Sequence, residues 1–225
     1  MNQTIDVLVG KNKELQDTYN ELTVSFNDSC DLVVRAYDEG VAYHFATRLN
    51  GEITIISEDA IFNFASTPTI YYPECDANYS GETDQSGRTH QVHQGYRNFE
   101  RLYKVYKGPL EIPYERFAVS PVLYEYPDSP YKVVVTESNT YDYPALYMES
   151  NGYNSMRGKW ANYPKETIDS DPSNPYYWYS NHLVVTRENY IAKTDGNRSF
   201  PWRVIIVSED DKLSLIHISE PTRPY

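Results

Sequence analysis

Glu137 closes the run Tyr131-Lys132-Val133-Val134-Val135-Thr136 and stands just before Ser138-Asn139-Thr140-Tyr141-Asp142-Tyr143-Pro144. A carboxylate at a strand end, beside a polar loop, is well placed to ligate a hard cation such as calcium, which gathers roughly six to eight oxygen ligands. The same placement suits an ordinary solvated glutamate, and the residue alone does not separate the two. His90 and His93 are the other metal-ligating types at close spacing, but they sit among Gly, Ser and Gln without a nearby Cys or second His pair. That context reads as a solvated loop rather than a transition-metal site. With 32 acidic residues in the chain, carboxylate pairs are abundant, so spacing alone marks no glycosidase pair. No G-x-S-x-G elbow, H-E-x-x-H, P-loop or dinucleotide fingerprint occurs. The 23 tyrosines, and Trp160, Trp178 and Tyr176-Tyr177 within residues 151–181, offer rings that could stack on sugars. Tyrosine equally suits the half-buried faces of a sheet.

The elements that must carry these residues are strands. Leu22-Thr23-Val24-Ser25-Phe26 alternates, putting Leu22, Val24 and Phe26 on one face, and Asn27-Asp28-Ser29 turns the chain. A second strand spans residues 31–37, with Asp38-Glu39-Gly40 as the turn; a third, residues 41–46, points Val41, Tyr43 and Phe45 inward. Asn50-Gly51 predicts a further hairpin, leading into residues 52–57. Together these make a four-stranded antiparallel meander. Residues 73–97 read as a long polar loop. Strands are expected again at 103–106, 119–126, 131–136, 144–148, 183–186 and 202–207, with residues 151–181 a second irregular insertion. Residues 11–17 alone carry helical character. The expected fold class is all-β, an antiparallel sandwich with long polar loops and little helix.

Composition narrows the partners. The chain has 225 residues and a formal charge of -12. An acidic surface argues against nucleic acid and against an anionic membrane. No apolar run approaches the roughly 20 residues of a spanning helix, and residues 1–10 are no signal peptide. Cys30 and Cys75 allow one disulfide, though two unpaired core thiols are expected.

Several segments resemble the N-terminal domain of glycoside hydrolase family 97. They are Tyr19-Asn20-Glu21-Leu22-Thr23-Val24-Ser25-Phe26 with residues 31–45; Thr136-Glu137 with Asp142-Tyr143-Pro144-Ala145-Leu146-Tyr147-Met148; and Tyr190-Ile191-Ala192-Lys193-Thr194 with Phe200-Pro201-Trp202-Arg203-Val204-Ile205-Ile206. The resemblance implies an N-terminal β-supersandwich of a bacterial α-glucosidase or α-galactosidase. Such an enzyme is calcium-dependent and periplasmic or secreted, and acts on α-linked oligosaccharides. The catalytic acid, and the base or nucleophile, would lie on a (β/α)₈ barrel beyond this sequence. It also implies that Glu137 is the position reaching over to the calcium site beside that barrel. This chain alone would then hold calcium weakly or not at all. A stand-alone carbohydrate-binding module using the Tyr and Trp platforms is the alternative.

Residues 1–212 thus read as one domain, incomplete at its N-terminal edge, with a face that a barrel would otherwise cover. Residues 213–225 have no matching periodicity. Back-translated, they resemble a transposon-end adapter used in preparing sequencing libraries, and they are read as no part of the natural protein. Glucoside or galactoside specificity stays open at this point, and so does inversion or retention, which depends on the spacing of carboxyls outside the sequence.

Overall fold

The computed structural model describes residues 2–6, 13–74, 103–113, 116–169 and 182–209. They form strands β1 (Asn2–Asp6), β2 (Glu14–Thr18), β3 (Asn20–Asn27), β4 (Cys30–Tyr37), β5 (Gly40–Ile55), β6 (Ile61–Asn63), β7 (Thr69–Pro73), β8 (Tyr103–Tyr106) and β9 (Phe117–Val119). Next come β10 (Val122–Glu125), β11 (Lys132–Ser138), β12 (Tyr147–Ser150), β13 (Ser155–Lys159), β14 (Pro164–Asp169), β15 (His182–Arg187), β16 (Ala192–Ser199) and β17 (Trp202–Ser208).

A large antiparallel sheet runs in the order β3-β4-β5-β17-β11-β10-β7-β8, with β16 also on β5, and a smaller sheet runs β6-β13-β12-β9. Two hairpins, β1-β2 and β14-β15, complete the set. The expected all-β antiparallel sandwich is borne out. Opposed residues share a face, so the register aligns Leu22, Val34, Tyr43, Arg203 and Glu137 in one row across five strands. A parallel row holds Val207, Val133, Tyr124, Ile70 and Tyr106. That face meets the smaller sheet in a core of Ile70, Tyr72, Val122, Tyr124 and Val135 against Leu146, Met148, Met156 and Trp160. Tyr72 is anchored as well as buried: its hydroxyl donates to the Met148 carbonyl at 2.7 Å, tying the sheets together.

Several expectations change. Asn50-Gly51 is no hairpin: β5 continues through it, with Gly51 at φ 75 where the pairing with β16 is irregular. The long strand exists because two partners share it, β17 at residues 40–43 and β16 at residues 46–55. A meander of three strands, β3 to β5, remains. Residues expected to be helical enter β2, whose polar side chains pair across to β1, Gln3 with Asp17 at 2.8 Å and Thr18 with Asn2 at 3.0 Å. Cross-strand pairing overrides weak helical propensity there. The single strand expected at 119–126 divides at Ser120-Pro121, so β9 joins the small sheet and β10 the large one. Residues 151–181, expected to be irregular, contain β13 and β14.

The row Leu22, Val24, Phe26, Val41 and Phe45 shares one face as expected, but it is not buried: Leu22 is 62% and Phe26 61% exposed. Cys30 is half-buried with a free thiol rather than a core residue. Cys75, His90, His93 and the loop at 73–97 beyond Glu74 lie outside the described residues, as do Tyr176, Tyr177, Trp178 and residues 213–225. No helix among the described residues is long and apolar enough to cross a membrane.

Candidate functional site

Strand β17 supplies the organising residue. Arg203 and Ile205 share the face that Glu137 and Val135 take on the neighbouring strand, so alternation drives a guanidinium into the sandwich. Arg203 is 2% exposed. Burying a cation costs several kcal/mol, on the order that only good pairing offsets, and the neighbouring elements provide that pairing.

Glu58, in the segment after β5, faces the guanidinium as a fork: Arg203 Nε donates to Oε1 at 2.9 Å and Nη2 to Oε2 at 2.7 Å. This is the bidentate geometry that makes arginine–carboxylate pairs strong. Arg203 Nη1 donates to Glu137 Oε2 at 2.8 Å from the adjacent strand β11. The other Glu137 oxygen accepts the Leu146 amide at 2.7 Å. Tyr143 donates its hydroxyl to Glu58 Oε2 at 2.9 Å, and the guanidinium lies 5.1 Å from the Trp160 ring centroid.

Electrostatics follows the geometry. Burial pushes the Glu137 carboxyl up, while the Leu146 amide and the Arg203 guanidinium oppose that rise. Burial alone would lower Arg203, but the Glu58 hydrogen bonds and the two carboxylate charges outweigh it and keep the guanidinium charged. Burial and the Glu58 carboxylate both raise Tyr143, so its hydroxyl stays a donor.

Glu137, the expected calcium ligand, is held here by two donors of the chain itself. Each of its oxygens already accepts one donor, and one of those donors is a buried cation that would repel a dication beside it. Calcium sites instead gather several oxygens, mostly from carboxylates, carbonyls and water. Among the described residues no three His, Cys, Asp or Glu side chains converge to hold a metal ion. A cavity of about 330 Å³ opens beside the cluster, lined by Tyr43, Phe45, Asp59, Tyr143 and Phe200 among others.

Sequence reasoning singled out Glu137 but missed Glu58 and Arg203. Arg203 was detectable: a charge at an inward position of an apolar strand requires a buried counter-ion. Glu58 carries no such signal, because it belongs to no strand. The other buried carboxylates are likewise spent on partners. Glu149 binds Arg157 at 2.7 Å and Lys159 at 2.9 Å, and Glu74 accepts the Tyr106 hydroxyl at 2.6 Å. Trp160, expected as a sugar platform, is 7% exposed and packs in the core, where it presents no face to solvent.

Comparison with known proteins places this arrangement. A retaining alpha-galactosidase of Bacteroides thetaiotaomicron is 30% identical over 200 residues, 88% of this chain and 28% of that protein. The chain therefore spans just over a quarter of that relative's length. Among solved structures, a glycoside hydrolase family 97 enzyme from Pseudoalteromonas sp. strain K8, in complex with acarbose, matches 93% of this chain and 26% of its own, with TM-score 0.60 and 15% identity. A beta-arabinopyranosidase matches the same 93%, covering 31% of its own chain, with TM-score 0.51 and 15% identity. At that identity the two structures show a shared fold alone. The family described as Glycosyl-hydrolase 97 N-terminal matches residues 1–217, and the chain belongs to it.

Proposed function

We propose that this chain is the non-catalytic N-terminal unit of a longer, exo-acting bacterial α-glycosidase, an α-galactosidase or α-glucosidase, and that it packs against that enzyme's catalytic domain. The observation that carries the reading is the alignment with a retaining alpha-galactosidase over only 28% of that protein's length. The site supports it from the other side. The half-buried Glu58 and the more deeply placed Glu74, Glu137 and Glu149 each accept hydrogen bonds from a cation or a tyrosine hydroxyl, so each is already engaged in holding the fold. The carboxylates that cleave the glycosidic bond, and the ligands of the enzyme's calcium ion, belong in this reading to the longer protein. Its substrate is an α-linked oligosaccharide, its location is periplasmic or secreted, and neither nucleic acid nor membrane is a partner.

Isothermal titration of the purified chain with maltooligosaccharides and with α-galactosides tests the reading. No saturable heat is expected. Saturable binding by the chain alone would make it an independent carbohydrate-binding module instead.

A further inference from the structure

We infer that Glu137 is an inter-sheet clasp and not a metal ligand: its carboxylate fastens the entry of the small sheet to the buried guanidinium of the large one. Glu137 ends β11 in the large sheet, and its Oε1 accepts the amide of Leu146, the residue that leads into β12 of the small sheet. Leu146 itself is buried in the shared core. The loop between them turns through left-handed residues, Asn139 at φ 60 and Asp142 at φ 52. Asn and Asp take up that region more readily than other non-glycine residues, and contacts with two carboxylates fix the loop in place. Glu137 at one end, and Glu58 holding the Tyr143 hydroxyl within the loop, provide that fixing. Both carboxylates converge on Arg203, so one guanidinium joins β17, β11, the segment after β5 and the loop at 139–146.

This placement is the reverse of what a calcium ligand needs. A dication within bonding distance of Glu137 Oε2 would sit against Arg203 Nη1, which donates there at 2.8 Å. Like charges so close in a buried site repel strongly. Withdrawing Arg203 from Glu137 to make room would weaken the anchor of a buried cation. The cluster favours the guanidinium, and the inference stands whether or not the chain docks on a catalytic domain.

The test is thermal unfolding of the chain, unaltered and as Glu137→Gln, in millimolar calcium and in excess EGTA. Gln keeps the side chain's size and an acceptor for Leu146 but removes the charge that Arg203 faces. The substitution is expected to lower Tm on the order of 10 °C, since breaking one partner of a buried pair is strongly destabilising, and by the same amount in both buffers. A calcium-linked rise that the variant retains also supports the inference, because the ion then binds elsewhere. A calcium-linked rise lost in the folded variant overturns it, and so does an unchanged Tm in EGTA. Where Glu137→Gln does not fold, the carboxyl ¹³C shift of Glu137 in the longer parent enzyme, which holds the remaining calcium ligands, decides during a calcium titration. No displacement supports the clasp, and a saturable displacement overturns it.

Discussion

At the residue scale, Arg203 shows how a charge becomes structural. Alternation along β17 makes its position inward, and burial is then tolerable because Glu58, Glu137 and the Trp160 face share the guanidinium. This part of the site was half legible. Glu137 stands out in the sequence as a strand-end carboxylate, but only the register shows that it opposes Arg203 across two strands 66 residues apart in the chain. The counter-ion beside it was not legible, because sequence reveals a carboxylate but not its donors. His44 gives a second residue-level consequence. It packs against Trp202 with ring centroids 4.1 Å apart and the planes tilted by 52°, and burial holds its pKa below the ordinary value. The unfolded chain therefore takes up this proton first as pH falls, so His44 favours the fold above about pH 6.5 and opposes it progressively below. Urea midpoints measured between pH 7 and 5 should fall with pH, and His44→Phe should flatten that slope. An equal slope in the variant would remove His44 as the cause.

At the element scale, the three-strand meander was legible because alternation, Asn27-Asp28-Ser29 and Asp38-Glu39-Gly40 all agree on the same hairpins. Asn50-Gly51 misleads because a turn signal says what the backbone can do locally. It does not say whether two partners hold the strand open, and here β17 and β16 divide β5 between them. Strands β13 and β14 are hidden for a related reason: Ser155–Lys159 and Pro164–Asp169 carry few β-branched residues, and their cross-strand neighbours hold them in place. Close approach of strands also explains Gly40. A Cβ there would lie 2.1 Å from the Ile205 carbonyl oxygen on β17. Gly40→Ala must therefore push apart the β5–β17 junction next to Arg203, at a cost of at least about 1–3 kcal/mol. Calorimetry should show this as a clearly lower Tm, whereas Gly51→Ala, with no atom within 4 Å of the added Cβ, meets no comparable clash and pays only for its positive φ. Equal losses at both positions would contradict the packing argument.

At the scale of the whole molecule, the sandwich is unevenly covered. The β17–β11–β10–β7 half of the inner face is buried under the small sheet, while Leu22, Val24, Phe26, Val41 and Phe45 stay accessible on the β3–β4–β5 half. Exposed apolar surface of this kind favours association. Phe26→Ser combined with Leu22→Thr should reduce binding of the dye ANS and slow aggregation while shifting Tm by little. A large Tm loss would show that these side chains are already packed in the isolated chain. The family and the fold were legible from motifs around residues 19–45, 136–148 and 190–206, because those segments build the large sheet and the loop that Glu137 fastens. The proposed division of labour leaves cleavage to the rest of a longer enzyme. It is tested by turnover of aryl α-galactosides and α-glucosides by the purified chain. Release no faster than in buffer alone is expected. Saturable hydrolysis abolished by Glu58→Gln in a folded variant would contradict it and place a catalytic centre within these residues.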